Sequence, residues 1–258
     1  MDDSKQPSGW AAWARRFFAT LPCLCKICKQ PANALLCARC IQSLHHPEAI
    51  CEQCAETLPA PLLLTQVPTL NRCGRCLSNP PAFQRTLFAY TYCDPVAELI
   101  QQFKFSEALI LSHLLADMIV EWIKIADFPV PDLIIPVPLH PDRLKQRGFN
   151  QSLELARHVG KALDIPVNSS LLLRTRATPR QSGLNRKTRE KNIRGAFKVN
   201  TRNASAQMNG KHLALIDDVI TTGSTTREAA RVLQRAGATQ ISVIAVAKTF
   251  QGVKIPGP

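Results

Sequence analysis

Asp217 and Asp218 stand side by side between an apolar run, Leu213-Ala214-Leu215-Ile216, and a hydroxyl-rich turn, Thr221-Thr222-Gly223-Ser224-Thr225. Ionised carboxylates are acceptors only, so this pair suits two vicinal ribose hydroxyls and the hydration shell of a magnesium ion held beside them. Backbone N–H groups of Thr222 to Thr225, opening a helix, would point at an anion with the helix dipole behind them. Hydroxyls of Thr221, Thr222, Ser224 and Thr225 add donors, and the expected ligand of the turn is a phosphate monoester. The four apolar residues predict a buried parallel strand with the acids at its carboxyl end, where open α/β sheets place their ligands. Ser224 to Ala238 carries Ala229, Ala230, Leu233 and Ala236 at the spacing of one helix face. Strand, acid pair, phosphate-sized loop and helix, in that order, predict a sugar-phosphate site.

The segment resembles the phosphoribosyl pyrophosphate signature of type I phosphoribosyltransferases, in which four apolar residues, two acids and a TTGxT-like loop follow one another. The resemblance implies that Asp217 and Asp218 hold the ribose hydroxyls and that Thr221, Thr222, Gly223, Ser224 and Thr225 hold the 5'-phosphate. Enzymes acting on 6-oxopurines usually carry an Asp three residues after the second acid, as a proton acceptor. Thr221 occupies that position here, which points away from hypoxanthine or guanine.

The chain has ten cysteines. Cys25/Cys28, Cys37/Cys40, Cys51/Cys54 and Cys73/Cys76 are CxxC knuckles, all in its first third. Each knuckle lets two thiolates reach one ion, and two knuckles complete a tetrahedral zinc shell, so eight ligands predict two structural zinc sites. Sequential pairing gives two ribbons in tandem and is favoured by the short first gap; interleaved pairing would give a cross-braced module. A closed four-sulfur shell leaves no position for water or substrate, so the zinc is expected to be structural. Cys23 and Cys93 lack a partner knuckle and read as free thiols.

At 258 residues the chain is long enough for an α/β core and a smaller module. The expected division is 1–80, an amino-terminal helix with the double zinc ribbon, and 85–250, the α/β domain. The formal net charge of +13 fits a nucleic-acid, polyphosphate or acidic-protein partner. No run approaches a transmembrane span, and the amino terminus lacks a signal peptide's basic start and unbroken apolar core, so a cytoplasmic location is expected. Trp10, Trp13, Ala14, Phe17, Phe18 and Leu21 form one apolar helix face, for this protein's own domains or for a membrane surface or partner.

In the second part, Thr86 to Tyr92 reads as a strand, and Pro95 to Phe105 and Glu107 to Ala126 as helices with Lys104 at the break between them. Asp132 to Leu139 gives a buried strand ending at Ile135 or Pro136, because prolines at alternate positions cannot continue a central ladder. Arg143, Lys145 and Arg147 follow, then Gly148-Phe149-Asn150-Gln151 leading into a helix through roughly Leu163. In a doubly wound sheet this loop and the acid-pair loop share one carboxyl edge. Arg143 and Arg147 would then reach a pyrophosphate, for which forked guanidinium donors are suited. Residues 174 to 202 set ten basic side chains against the single acid Glu190. Strand-like Ser170 to Leu173 and Ala196 to Val199 flank a hydrophilic middle, Ala177 to Asn192, that predicts a mobile hairpin loop. Lys187 and Arg189 within it are candidates for offsetting pyrophosphate charge or for contacting the backbone of single-stranded DNA.

The proline-valine-proline loop, the RGFNQ run, Gln181, Asn192, Phe197, the DDVITTGST loop and the four knuckles together resemble the ComF family of bacterial competence-associated proteins, most closely its proteobacterial GntX-type members. The resemblance covers Cys25 to Lys248. It implies a type I phosphoribosyltransferase fold, with a parallel-sheet core and helices on both faces, joined to a small amino-terminal zinc ribbon module. It also implies phosphoribosyl pyrophosphate with magnesium as ligand, a role in uptake or use of external DNA, and a competence helicase or another DNA-uptake protein as partner. A nucleobase-salvage phosphoribosyltransferase and a non-catalytic nucleic-acid or protein adaptor are the alternatives; the absence of an identifiable base for a nucleophile and of a hood over a nucleobase argues against the first, and intact Asp217, Asp218 and Gly223 against the second.

Overall fold

A computed structural model describes residues 23–47, 49–58, 71–105, 108–178, 186–200 and 208–250, without the side chains of 105, 108, 109, 186, 187 and 189. The apolar face from Trp10 to Leu21 and the loop residue Gln181 lie outside the described residues. Two compact units are present, residues 1–44 and residues 45–258.

The first unit holds a two-stranded antiparallel ribbon, β1 (Cys23–Leu24) and β2 (Pro31–Ala32), and a short helix, α1 (Ala38–Gln42). Its first knuckle is a turn in which the Lys29 N–H donates to the Cys25 carbonyl at 2.9 Å and Lys29 takes a left-handed φ of 60°.

The second unit opens by repeating that device. Ala55 N–H donates to the Cys51 carbonyl at 2.7 Å with φ of 56° at Ala55, and Cys73 precedes a short helix, α2 (Gly74–Ser78), as Cys37 precedes α1. The core that follows is built from β3 (Arg85–Thr91), α3 (Val96–Phe105), α4 (Ala108–Ile125), β4 (Leu133–Pro136), α5 (Pro141–Arg147), α6 (Gln151–Leu163), β5 (Leu172–Arg174), α7 (Arg186–Ile193), β6 (Phe197–Val199), β7 (His212–Ile220), α8 (Ser224–Arg235) and β8 (Gln240–Lys248). Four parallel strands lie in the order β3-β8-β7-β4, and β5 and β6 form a separate antiparallel hairpin.

Apolar side chains occupy both faces of the sheet, as parallel strands require. Leu133, Ile135, Leu213, Leu215, Ile241 and Val243 join one core cluster with Ala229, Ala230 and Leu233 of α8. The alternate residues Ile134, Ala214, Ile216 and Ile244 are equally buried and, by the two-residue strand period, face the opposite layer, where α4 and α6 pack on the strands. This is the type I phosphoribosyltransferase architecture, an α/β parallel sheet with helical layers, accompanied by four-cysteine ribbons.

Three local features depart from the sequence reading. The strand carrying the acid pair does not stop at Ile216. β8 is as long as β7 and keeps pairing with it, Asp217 opposite Ala245 and Val219 opposite Ala247, so the carboxylates sit within the ladder. Arg143 and Arg147 lie on a helix rather than in a loop, because Pro141 stands at its first position with His140 as N-cap and Gly148 closes it in the left-handed conformation. Within the expected hairpin loop, residues 186–193 form α7: its Lys, Arg and Glu residues are good helix formers, and Ile193 is buried in the core that includes α8.

Gly160 lets the chain turn back tightly after α6. A Cβ there would meet the Ile165 carbonyl oxygen at 2.6 Å and Val167 Cγ2 at 2.7 Å. Gly160→Ala is therefore expected to lower unfolding free energy by about 1–3 kcal/mol, despite alanine's better helix propensity. Urea unfolding measures this, and a stabilised variant would show that the turn has room to relax.

Candidate functional site

Asp217 and the hydroxyl-rich turn line one small cavity of about 20 Å³, formed by Asp217, Val219, Ile220, Thr221 and Gly223 to Thr226. Gly223 takes φ of 71°, the left-handed value that turns the chain out of β7 and into α8. No side chain caps α8 at Gly223, which leaves the first N–H groups of that helix to an anion. Thr222 and Ser224 hydroxyls lie 2.7 Å apart, and the Thr226 hydroxyl donates to the Gly223 carbonyl at 3.1 Å, tying the turn to the first helical residues.

Asp217 Oδ1 accepts from the Ser152 hydroxyl at 2.9 Å and from the Asp218 N–H at 3.0 Å. Asp218 Oδ1 accepts from the Val219 N–H at 2.8 Å, and its Oδ2 pairs with Lys104 Nζ at 2.8 Å. Burial first, and the neighbouring Asp218 charge second, raise the Asp217 carboxyl from an ordinary 3.8 to about 7; Ser152 and Lys104 oppose the shift.

Each supporting side chain is placed by its own element. Asn150 caps α6, accepting from the Ser152 N–H at 3.1 Å, and its amide donates to the Val137 carbonyl at 3.2 Å, so the RGFNQ run locks β4's exit to the helix that supplies Ser152. Phe149 packs on Phe103 with ring centroids 5.9 Å apart, seating the end of α3 beside this loop, and Lys104 follows Phe103.

Arg143 donates to the Thr178 carbonyl at 3.2 Å, and Arg174 donates to the Thr178 hydroxyl at 2.6 Å. Arg174 Nε is buried without a hydrogen-bond partner among the described residues. Burial and then Arg143 lower the Arg174 pKa, while Asp217 opposes them, which puts the Arg174 guanidinium within the field of Asp217. Arg147 instead bonds Gln151 Oε1 at 3.1 Å. The side chains of Lys187 and Arg189 lie outside the described residues.

Lys104 and Arg174 were not singled out from sequence as site residues. The signal for Lys104 was its place at a helix break between two phenylalanines; Arg174 was one of many basic residues, and only the hairpin's fold sets it apart.

The eight knuckle cysteines form two groups, Cys25/Cys28/Cys37/Cys40 and Cys51/Cys54/Cys73/Cys76, each with all sulfurs within 4.8 Å of one another. This is sequential pairing. Four thiols at that spacing cannot all ionise beside each other without a cation, whereas a divalent ion removes the conflict and completes a tetrahedral shell. The donor set therefore fits a metal, and the sulfurs alone suffice to hold it. No described helix is long and apolar enough to cross a membrane.

Fold and site define a phosphoribosyltransferase-type domain carrying cysteine ribbons. The phosphoribosyl transferase domain family matches residues 150–254. The DNA utilization protein YhgH of Shigella flexneri is 35% identical over 238 residues, covering 90% of this chain and 99% of that one. Competence protein F of Haemophilus influenzae is 33% identical over 180 residues, 68% of this chain and 78% of the relative. Among solved structures, glutamine phosphoribosylpyrophosphate amidotransferase from Bacillus subtilis is similar at 20% identity and TM-score 0.38, over 57% of this chain and 30% of that chain. The chain belongs to the ComF/YhgH family of competence and DNA-utilisation proteins.

Lys104→Met should push the Asp217 titration above about 7, because the ammonium favours the ionised pair. The sign for stability follows from the raised pKa. Asp217's contribution is full below its unfolded value near 3.8 and is lost as pH rises through about 7. Carboxyl ¹³C chemical shifts across pH 4–9 report the titration. An unmoved midpoint in the variant would remove Lys104 from the acid pair's electrostatics.

Proposed function

We propose that this protein serves uptake or use of external DNA through a domain that binds phosphoribosyl pyrophosphate as its magnesium complex. The observation that carries this reading is the cavity that Asp217 shares with the uncapped start of α8: with Asp218 next in the chain, it matches a ribose diol beside a phosphate monoester. The relatives' names, DNA utilization protein and competence protein, support the process.

In this reading Asp217 and Asp218 accept from the ribose hydroxyls, and the turn from Thr221 to Thr225 with the first N–H groups of α8 takes the 5'-phosphate. Lys104 occupies the acid pair in the free protein. Asp217 and Asp218 would hold the hydration shell of the magnesium, which would supply positive charge against the pyrophosphate, and Lys104, beside Asp218, adds a cation on the same side. Arg143 and Arg174 supply forked donors on the pyrophosphate side. Lys187 and Arg189, on α7, remain candidates for pyrophosphate or for single-stranded DNA. Cysteine ribbons hold zinc as structural ions, one in each unit, with no part in bond making.

Calorimetric titration of phosphoribosyl pyrophosphate with magnesium into the full chain tests this. Binding is expected for wild type, with affinity rising as pH passes through about 7, where Asp217 ionises. The Asp217→Asn/Asp218→Asn variant should lose at least about tenfold, the cost of removing charge-assisted acceptors. Failure of wild type to bind at millimolar ligand would sink the reading.

A further inference from the structure

The second cysteine group is built into the sheet and reaches the back of the phosphate turn. Thr86 of β3 donates its N–H to the Glu52 carbonyl at 2.9 Å and its hydroxyl to the Gln53 carbonyl at 2.6 Å, while Gln53 Nε2 donates to the Phe83 carbonyl at 2.9 Å. The knuckle between Cys51 and Cys54 is thus stitched to an edge strand, and Ala55 after it is fully buried in the core that contains α8. A small space of about 10 Å³, room for about one water, is lined by Thr222, Gly223 and Thr226 together with Cys54 and Glu56.

Two cations stand beside the cysteine group, one from α8 and one from β8. Arg227, in the first turn of α8, donates its backbone N–H to the Gly223 carbonyl at 2.9 Å and reaches Cys76 Sγ at 3.8 Å through Nη2. Lys248, at the end of β8 and only 2% exposed, pairs with Glu56 Oε2 at 3.7 Å. A divalent ion with four thiolates carries two net negative charges, and a metal-bound thiolate accepts a hydrogen bond more strongly than a thiol does. Arg227 and Lys248 therefore sit where an occupied centre needs cations. The same cluster also reaches the basic hairpin: Arg75, in α2 between Cys73 and Cys76, pairs with Glu190 of α7 at 2.6 Å.

We propose that the Cys51/Cys54/Cys73/Cys76 centre is a positioning element of the phosphate site, with Arg227 as the residue that transmits it. Cys76 Sγ holds the Arg227 guanidinium, Arg227 holds the first turn of α8 under Gly223, and that turn presents the N–H groups to the anion. Metal occupancy of this centre sets anion affinity in the turn. The proposal rests on the phosphate reading above and adds a residue and a metal dependence to it.

The test uses the full zinc-loaded chain and magnesium phosphoribosyl pyrophosphate as probe, with zinc content measured in every variant. Arg227→Gln should keep both metals and weaken binding by about tenfold, the scale on which partners of metal ligands act, and Arg227→Lys should recover part of it. Arg231→Gln, on the same helix and paired with Glu228 rather than with the sulfurs, should bind as wild type does. Equal losses in the Arg227 and Arg231 variants, or no loss in Arg227→Gln, would overturn the proposal. Hydrogen exchange of the amides from 221 to 226 gives a ligand-free readout: Cys76→Ser and Arg227→Gln should both exchange faster there. Unchanged exchange in Arg227→Gln overturns the coupling even if the probe binds nothing. Failure of wild type to bind, with faster exchange retained, removes only the choice of ligand.

Discussion

Two carboxylates on consecutive residues, held within a buried ladder, lose hydration and repel each other, and the surrounding elements are arranged to offset those two costs. Ser152 from the start of α6, the N–H groups of Asp218 and Val219, and Lys104 from the end of α3 each meet one carboxylate oxygen. Arg174 adds its charge from the β5–β6 hairpin. The offset is incomplete, since Asp217 still titrates near 7. An acid pair left under this strain is the feature from which the proposed ligand, with its hydroxyl donors and divalent cation, is argued.

The convergence explains otherwise separate sequence features. The RGFNQ run contains an aromatic that seats α3, a cap that starts α6, and a glutamine 2% exposed within the first turn of that helix. Their common product is the position of Ser152 and Lys104 against the pair. The hydroxyl-rich turn depends on the same scaffold from the other side: Gly223 reverses the backbone, and α8 is held by Ala229, Ala230 and Leu233 in the core beneath the strands. The helix dipole is therefore aimed by apolar burial, and the proposed anion site would be a consequence of packing.

The two cysteine groups share one construction, a left-handed knuckle turn followed by a cysteine that opens a short helix, and they differ in what surrounds them. Residues 23–44 offer few apolar side chains for burial, and a metal would supply the cohesion that such a small segment lacks. The second group has a sheet edge and a core to lean on. Its hydrogen bonds to β3 and its reach to α8 make it part of the larger unit's interior polar structure.

Much of this is legible in the sequence. The order of apolar run, acid pair, hydroxyl turn and helix reflects local rules of strand burial, dipole and backbone freedom, which act within about twenty residues. CxxC spacing likewise determines that two sulfurs meet one ion. Other features needed the fold. Lys104 and Arg174 are ordinary basic residues in the sequence, about 114 and 43 positions from the acids they face. Only the crossover connections of a parallel sheet bring them together. The continuation of β7 through the acids was decided by the length of its neighbour β8, and the helix at 186–193 by packing against the α8 layer. The sequence by itself determined which chemistry the chain can hold, because ligand types and their short-range spacing are local. The tertiary structure alone decided which distant charges act on that chemistry, because electrostatic and packing partners are set by distance in space.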